Sequence, residues 1–234
     1  STPTRIPLTD DAGCQLGTLV LTGDISATNC PRSRSGIVGE CVSITESAVI
    51  AGLERVVACL ELRDPHTKGH SDRVKDLAVA MARRTLRNFA VLPVLALSAR
   101  LHDIGKTRIS GDILKKPGPL TDREWAEVKR HPLTGADMLS SVLCLDAVVQ
   151  GVRHHHERYD GKGYPQGLAG PDIPLVARII AVADSYDAMT SDRPYRRALR
   201  PSEAAEEVLR NAGDQFDPDW AEALFKIIMN SQAS

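Results

Sequence analysis

From about residue 43 to the end, apolar side chains recur every third or fourth position, the spacing that lays one stripe along a helix. The stripes are Val49, Leu53, Val56, Val57 and Leu60; then Val74, Leu77, Ala78, Met81 and Ala82; then Leu92, Leu95, Ala96 and Ala99. They continue with Leu145, Val148, Val149 and Val152, and with Val176, Ile179, Ile180 and Ala183. Helix-breaking punctuation separates them at Asp64-Pro65, Asn88, Gly105, Pro117-Gly118-Pro119, Pro132, Gly161 to Gly170, Pro194, Pro201 and Pro218. Thr121 and Glu124 form a capping box that opens a short helix, with Trp125 and Val128 expected on its inward side. No alternating strand pattern follows residue 40, and no internal repeat or low-complexity tract is present.

The first forty residues have a different character. Gln15 to Leu21 is a short β-branched and apolar run, set between the turn signal Asp10-Asp11-Ala12-Gly13 and Gly23-Asp24-Ile25-Ser26, and it predicts a strand. Ser26 to Gly39 is rich in Ser, Gly, Pro and Arg, the composition of a linker. The expected organisation is an N-terminal arm and linker over residues 1–40, then an all-α multi-helix domain over residues 41–234.

Composition narrows the chemistry. The 234 residues are 42% hydrophobic and 25% charged, enough for a globular core and unlike collagen, coiled coil or disorder. A formal net charge of -1 supplies no global field for nucleic acid or anionic lipid, so a polyanionic ligand must be held locally. Aromatic residues are only 4% of the chain, which argues against extended stacking on a polymeric nucleic acid. The five cysteines contain no Cys-x-x-Cys pair and suit reduced thiols in a cytosol. No apolar run reaches the roughly 20 residues a membrane span needs, and the polar start is unlike a secretory signal. The missing initiating Met fits a piece of a longer protein.

The informative question is which helix face carries the ionisable residues. His70 falls one turn before Val74 on the apolar side, and His66 one turn earlier. The stripe ending at Ala99 runs on into His102 and Asp103; His131 follows Val128 by three; the stripe ending at Val152 runs on into His155 and His156. His154, nine residues after Leu145, lands about half a turn away and is expected to lie off that face. The stripe ending at Ala183 leads into Asp184 and then Asp187. Five helices thus aim imidazoles and carboxylates at the side that should be dry, where an uncompensated charge costs several kcal/mol. Divalent first-row metal ions are the simplest compensation, because neutral imidazole and aspartate are their ligands.

Several segments resemble a known family: His70-Ser71-Asp72-Arg73-Val74, His102-Asp103-Ile104-Gly105-Lys106, His155-His156-Glu157-Arg158-Tyr159-Asp160-Gly161-Lys162-Gly163-Tyr164-Pro165, and Asp184-Ser185-Tyr186-Asp187-Ala188-Met189-Thr190. From about Glu61 to Phe225 they are similar to the HD-GYP subclass of the HD phosphohydrolases. The resemblance implies an HD-type helical bundle around a metal centre of two divalent ions, iron or manganese, hydrolysing cyclic di-GMP to linear pGpG and onward to GMP. Carried over by position, His70, His102, Asp103 and Asp184 hold one ion, while Asp103 bridges to a second held by His131, His155 and His156. Relatives with a third ion use a carboxylate near His66; here that residue could ligate or lie on the rim. Thr107 and Ser110 depart from the usual isoleucine and proline.

By the same resemblance a metal-bridging hydroxide attacks phosphorus, with Asp103 and Lys106 in the catalytic machinery and Lys106 on a phosphate. Gly163, Tyr164 and Pro165 shape the substrate site, and Arg193 and Arg196 reach the distal phosphate or a guanine edge. Asp160 and Asp187 are candidate acceptors that orient ligand imidazoles. Another cyclic nucleotide as substrate, or a non-catalytic cyclic-dinucleotide receptor, are the alternatives. Ile6-Pro7-Leu8 and the strand after it resemble the closing hairpin of a PAS sensor domain, with a flexible arm as the competing reading. The implied partners are an upstream sensor domain, joined through the helix after residue 43, and a second copy of the chain or a diguanylate-cyclase-type protein.

Overall fold

A computed structural model of the chain describes residues 4–9, 15–21, 38–63, 68–142, 145–192 and 197–232. β1 (Thr4–Thr9) and β2 (Gln15–Leu21) form an antiparallel hairpin, in register from Thr4 opposite Leu21 to Thr9 opposite Gln15, with an irregularity at Leu8/Thr9. The strand expected over Gln15 to Leu21 is therefore present, and it is paired. α1 (Val38–Arg63) follows. Two compact units emerge, Ser1–Val56 and Val57–Ser234, and α1 runs across the division.

The only regular elements among the described residues of the second unit are helices, apart from two isolated bridges. Its helices are α2 (His70–Thr85), α3 (Leu92–Leu101), α4 (Gly111–Leu114), α5 (Asp122–Val128), α6 (His131–Ser140), α7 (Asp146–His154), α8 (Leu175–Thr190), α9 (Pro201–Arg210) and α10 (Pro218–Gln232). A 3₁₀ turn, Ile104–Arg108, follows α3. Three of the stripes read from the sequence meet in one core, Val74, Ala78 and Met81 of α2, Leu95 and Ala99 of α3, and Ile179, Ile180 and Ala183 of α8, which Val208 of α9 and Trp220 and Leu224 of α10 complete. Each such large apolar side chain contributes roughly 1.5–3 kcal/mol on burial, which sets the helix phases. No helix among the described residues is long and apolar enough to cross a membrane.

Local chemistry sets where the helices begin. The last turn of α1 caps α2: Gly69 N–H and Ser71 N–H donate to the two carboxylate oxygens of Glu61, at 2.8 and 2.9 Å, on either side of His70. Thr121 and Glu124 make the expected capping box at α5. The inward orientation expected for α5 is corrected, however: Trp125 is 45% exposed, Val128 is only half-buried, and the helix buries no residue fully. Two apolar residues on a two-turn helix do not define a face, and Trp125 is met instead by its neighbour, the Lys129 ammonium.

Candidate metal centre

Three histidines are aimed by one repeated local device. The Nδ1–H groups of His102, His131 and His155 donate to the carbonyl three residues earlier, of Ala99, Val128 and Val152, each at 2.7 Å. Those acceptors belong to the apolar residues that the periodicity singled out. With Nδ1 committed as donor, the neutral ring presents a bare Nε2 lone pair to the interior. His70 is held by another acceptor, Asp187 Oδ2, 2.7 Å from its Nδ1.

The Nε2 atoms then converge. His131 and His155 Nε2 lie 3.2 Å apart, and those of His70 and His102 3.3 Å apart. With both rings neutral, the His131 and His155 lone pairs face each other, an arrangement that a cation relieves. Asp103 stands between the pairs. Its Oδ2 is 3.4 Å from His102 Nε2 and 3.9 Å from His70 Nε2, while its Oδ1 is 3.2 Å from His131 Nε2 and 4.0 Å from His155 Nε2. Oδ1 is buried and accepts no hydrogen bond. Asp184 Oδ1 is 3.2 Å from His70 Nε2, and the His156 ring centroid is 4.1 Å from that of His155. Two ligand sets result, each with its donor atoms within 4.8 Å of one another: Asp103, His131, His155 and His156, and His70, His102 and Asp184. The donor types and the orphaned Asp103 oxygen fit two divalent ions.

The electrostatics of the two sets differ. Burial, reinforced by the neighbouring imidazoles, holds His155 well below its ordinary value and pushes His156 down to about 3, so both are neutral and ready to ligate. Burial also opposes charge on His70, but hydrogen bonds with Asp184 and Asp187 outweigh it and raise His70 to about 10. A proton there occupies the place of a cation. Burial would raise Asp103, yet the charge of Lys106, foremost among its neighbours, holds it well below the carboxylate range. The His70 hydrogen bond does the same for Asp184 against a similar burial effect.

Two glycines allow the elements this close. A Cβ on Gly105 would lie 2.0 Å from the carbonyl oxygen of His131, so the turn bearing His102 and Asp103 packs backbone to backbone on α6. A Cβ on Gly163 would lie 2.3 Å from Arg158 N and 2.5 Å from Glu157 Cα, which lets the 161–165 loop fold onto the chain leaving α7. Tyr164 N–H donates to the His156 carbonyl, and its ring stacks on His156 at 4.9 Å and 30°. Tyr164 is thereby at the edge of the centre, as expected; Pro165 follows it, partly buried.

Other expected residues divide. Asp187 is the acceptor for His70 and is itself gripped by Arg73 Nε at 2.6 Å and Nη2 at 3.0 Å. Asp160 is corrected: it binds Arg158 Nε and Nη2 at 3.0 and 2.8 Å and the Lys162 N–H at 3.0 Å, so it closes its own loop rather than orienting an imidazole. Lys106 Nζ is 2.6 Å from Asp103 Oδ2. His154 stays outside both ligand sets, but it is buried rather than turned away, its Nδ1 3.6 Å from Glu157 Oε1. His66, Arg193 and Arg196 lie outside the described residues.

Glu157 was missed. Its buried carboxylate accepts N–H groups from Gln166, Gly167 and Leu168 at 2.8, 3.0 and 3.1 Å, and so ties down the loop that carries Tyr164. The available signal was a carboxylate just before a glycine-rich segment whose N–H groups need acceptors.

Residues 55–220 match the family described as HD domain. The chain is 44% identical over 170 residues to a cyclic di-GMP phosphodiesterase of Pseudomonas aeruginosa, covering 72% of this chain and 41% of that protein. It is 36% identical over 169 residues to a 3'3'-cGAMP-specific phosphodiesterase of Vibrio cholerae, covering 72% and 37%. The chain thus spans about two fifths of the length of these relatives. Among solved structures, a cyclic GMP-AMP phosphodiesterase of V. cholerae has the same fold with a TM-score of 0.61 at 18% identity, over 78% of this chain and 49% of that one.

Proposed function

The chain belongs to the HD domain family, and from that premise we propose that it is a metal-dependent phosphodiesterase that hydrolyses cyclic di-GMP to linear pGpG. The observation that carries this reading is the split of Asp103 between two converging imidazole pairs, one carboxylate oxygen toward each. Divalent ions in such sets supply a water of lowered pKa and Lewis acidity toward phosphoryl oxygens. Iron or manganese suits the imidazole and carboxylate donors.

The chain's own residues do the rest. Asp103 stays anionic chiefly through the Lys106 charge, so it can serve both sets. Lys106, on the Asp103 oxygen and partly exposed, is placed to meet a phosphate oxygen as negative charge grows there. Tyr164, raised above its ordinary value mainly by burial, stays a neutral phenol at the wall over His156. Arg193 and Arg196 are assigned by resemblance to the distal phosphate or a guanine edge. His66 is assigned in the same way as the candidate ligand of a third ion. Residues 1–40 are read as the link to an upstream sensor, with α1 carrying its signal.

A second substrate, 3'3'-cGAMP, is favoured by the relative of that specificity. Protein loaded anaerobically with Fe(II) or Mn(II) and offered cyclic di-GMP, cGAMP and cyclic di-AMP separates the readings by chromatography of the products. Fastest turnover of cyclic di-GMP to pGpG supports the proposal. Binding without turnover of any of them overturns it.

A further inference from the structure

Outward from His156 runs a line of flat faces and one cation. The Tyr164 ring stacks on His156; Lys129 Nζ lies 5.6 Å from the Tyr164 ring centroid and 5.6 Å from that of Trp125; and Trp125 is 45% exposed. Lys129 is the C-cap of α5, one turn after Trp125, so one short helix holds both. An exposed indole is uncommon in a chain that is only 4% aromatic, and this one adds little to the core because α5 buries no residue. Its place beside the lysine that also faces the Tyr164 ring needs another account.

The substrate class supplies one. A cyclic dinucleotide carries two phosphodiesters, each flanked by a sugar and a purine. With one phosphodiester at the ligand sets, the other half of the ring must lie on the rim. That half asks for a flat apolar face to stack a base and a cation to meet the second phosphate. We propose that Trp125 stacks on a purine of the bound cyclic dinucleotide and that Lys129, between Trp125 and Tyr164, pairs with its non-reacting phosphate. Every base has a π-face, so Trp125 confers affinity for the dinucleotide without selecting guanine over adenine. Lys129, as a flexible point charge, can leave the ring faces for a phosphate oxygen.

This inference rests on the phosphodiesterase reading, and the test keeps the two apart. Metal-loaded wild type, Trp125→Ala, Trp125→Phe and Lys129→Ala are assayed on cyclic di-GMP and on bis(p-nitrophenyl) phosphate, a small diester with no purine and no second phosphate. We expect Trp125→Ala and Lys129→Ala each to raise KM for cyclic di-GMP about tenfold with kcat within about twofold, the scale of one stacked base. Trp125→Phe should recover most of the loss, and the small diester should be cleaved equally by all four. An unchanged KM for cyclic di-GMP, or a parallel loss on the small diester, overturns the inference while leaving the phosphodiesterase reading intact. A wild type that cleaves the small diester and no cyclic dinucleotide overturns the substrate reading, and the inference with it.

Discussion

Gly105 has its Cα so close to the carbonyl of His131 that a methyl group there would sit 2.0 Å from the oxygen. This contact sets how near the His102-Asp103 turn lies to the helix that opens with His131, and hence whether Asp103 Oδ1 reaches His131 Nε2 at 3.2 Å. Gly105→Ala is expected to cost about 1–3 kcal/mol by overpacking. It should also lower occupancy of the His131, His155 and His156 set before that of the other. Urea unfolding with elemental analysis of the folded variant measures both; two tightly held ions at wild-type stability would refute the account.

Asp187 holds His70 Nδ1 at 2.7 Å and is itself held by Arg73. Asp187→Asn keeps the shape but loses the charge that fixes the ring. The ion at His70, His102 and Asp184 should then bind about 10–100-fold more weakly, with little change at the other set. Competition against a chromogenic chelator reads the two affinities, and equal weakening of both would count against an orienting role.

His154 and Glu157 form a buried pair behind the centre. His154→Ala should retain both ions, because His154 belongs to neither ligand set, while costing about 2 kcal/mol for the hollow it leaves. His102→Ala and Asp103→Ala should abolish metal binding and hydrolysis together. Glu157→Ala strands three N–H groups and should free the Tyr164 loop, seen as faster amide exchange at Gln166, Gly167 and Leu168. Metal loss in His154→Ala would mean the α7 phase is wrong.

The two ligand sets should load differently with pH. His70 is raised from 6.5 to about 10 by Asp184 and Asp187, so in the metal-free protein its ion pairs contribute stability that is complete below pH 6.5 and fades as pH rises toward 10. His156 runs the other way: pushed down to about 3 by burial, it favours the fold above pH 6.5 and loses that contribution as pH falls toward 3. An ion entering the His70 set must expel a proton at neutral pH, whereas His155 and His156 have none to lose. Affinity at the His70 set should therefore rise about tenfold per pH unit between 7 and 9, with the other set nearly constant. Chelator competition at those two pH values tests this, and identical slopes would sink it.

For helices that carry a stripe of four or more apolar residues, periodicity says which side faces the core, because burial of the stripe sets the rotation of a helix about its own axis. It picked out His70, His102, His131, His155 and Asp184 as inward-facing, and His155 with His156 rather than His154 as ligands. The HD-GYP resemblance added the chemistry those residues serve. Periodicity says nothing about how far one helix lies from the next. The Nε2 pairing of His131 with His155 and the division of Asp103 between two sets depend on contacts between segments far apart in the chain, whereas Asp160 is claimed by its own neighbours Arg158 and Lys162, for which helical periodicity gives no signal. Periodicity is equally silent on the buried Glu157 and the outward Trp125: one is decided by a returning loop with donors to satisfy, the other by a helix too short for its two apolar residues to mark a side.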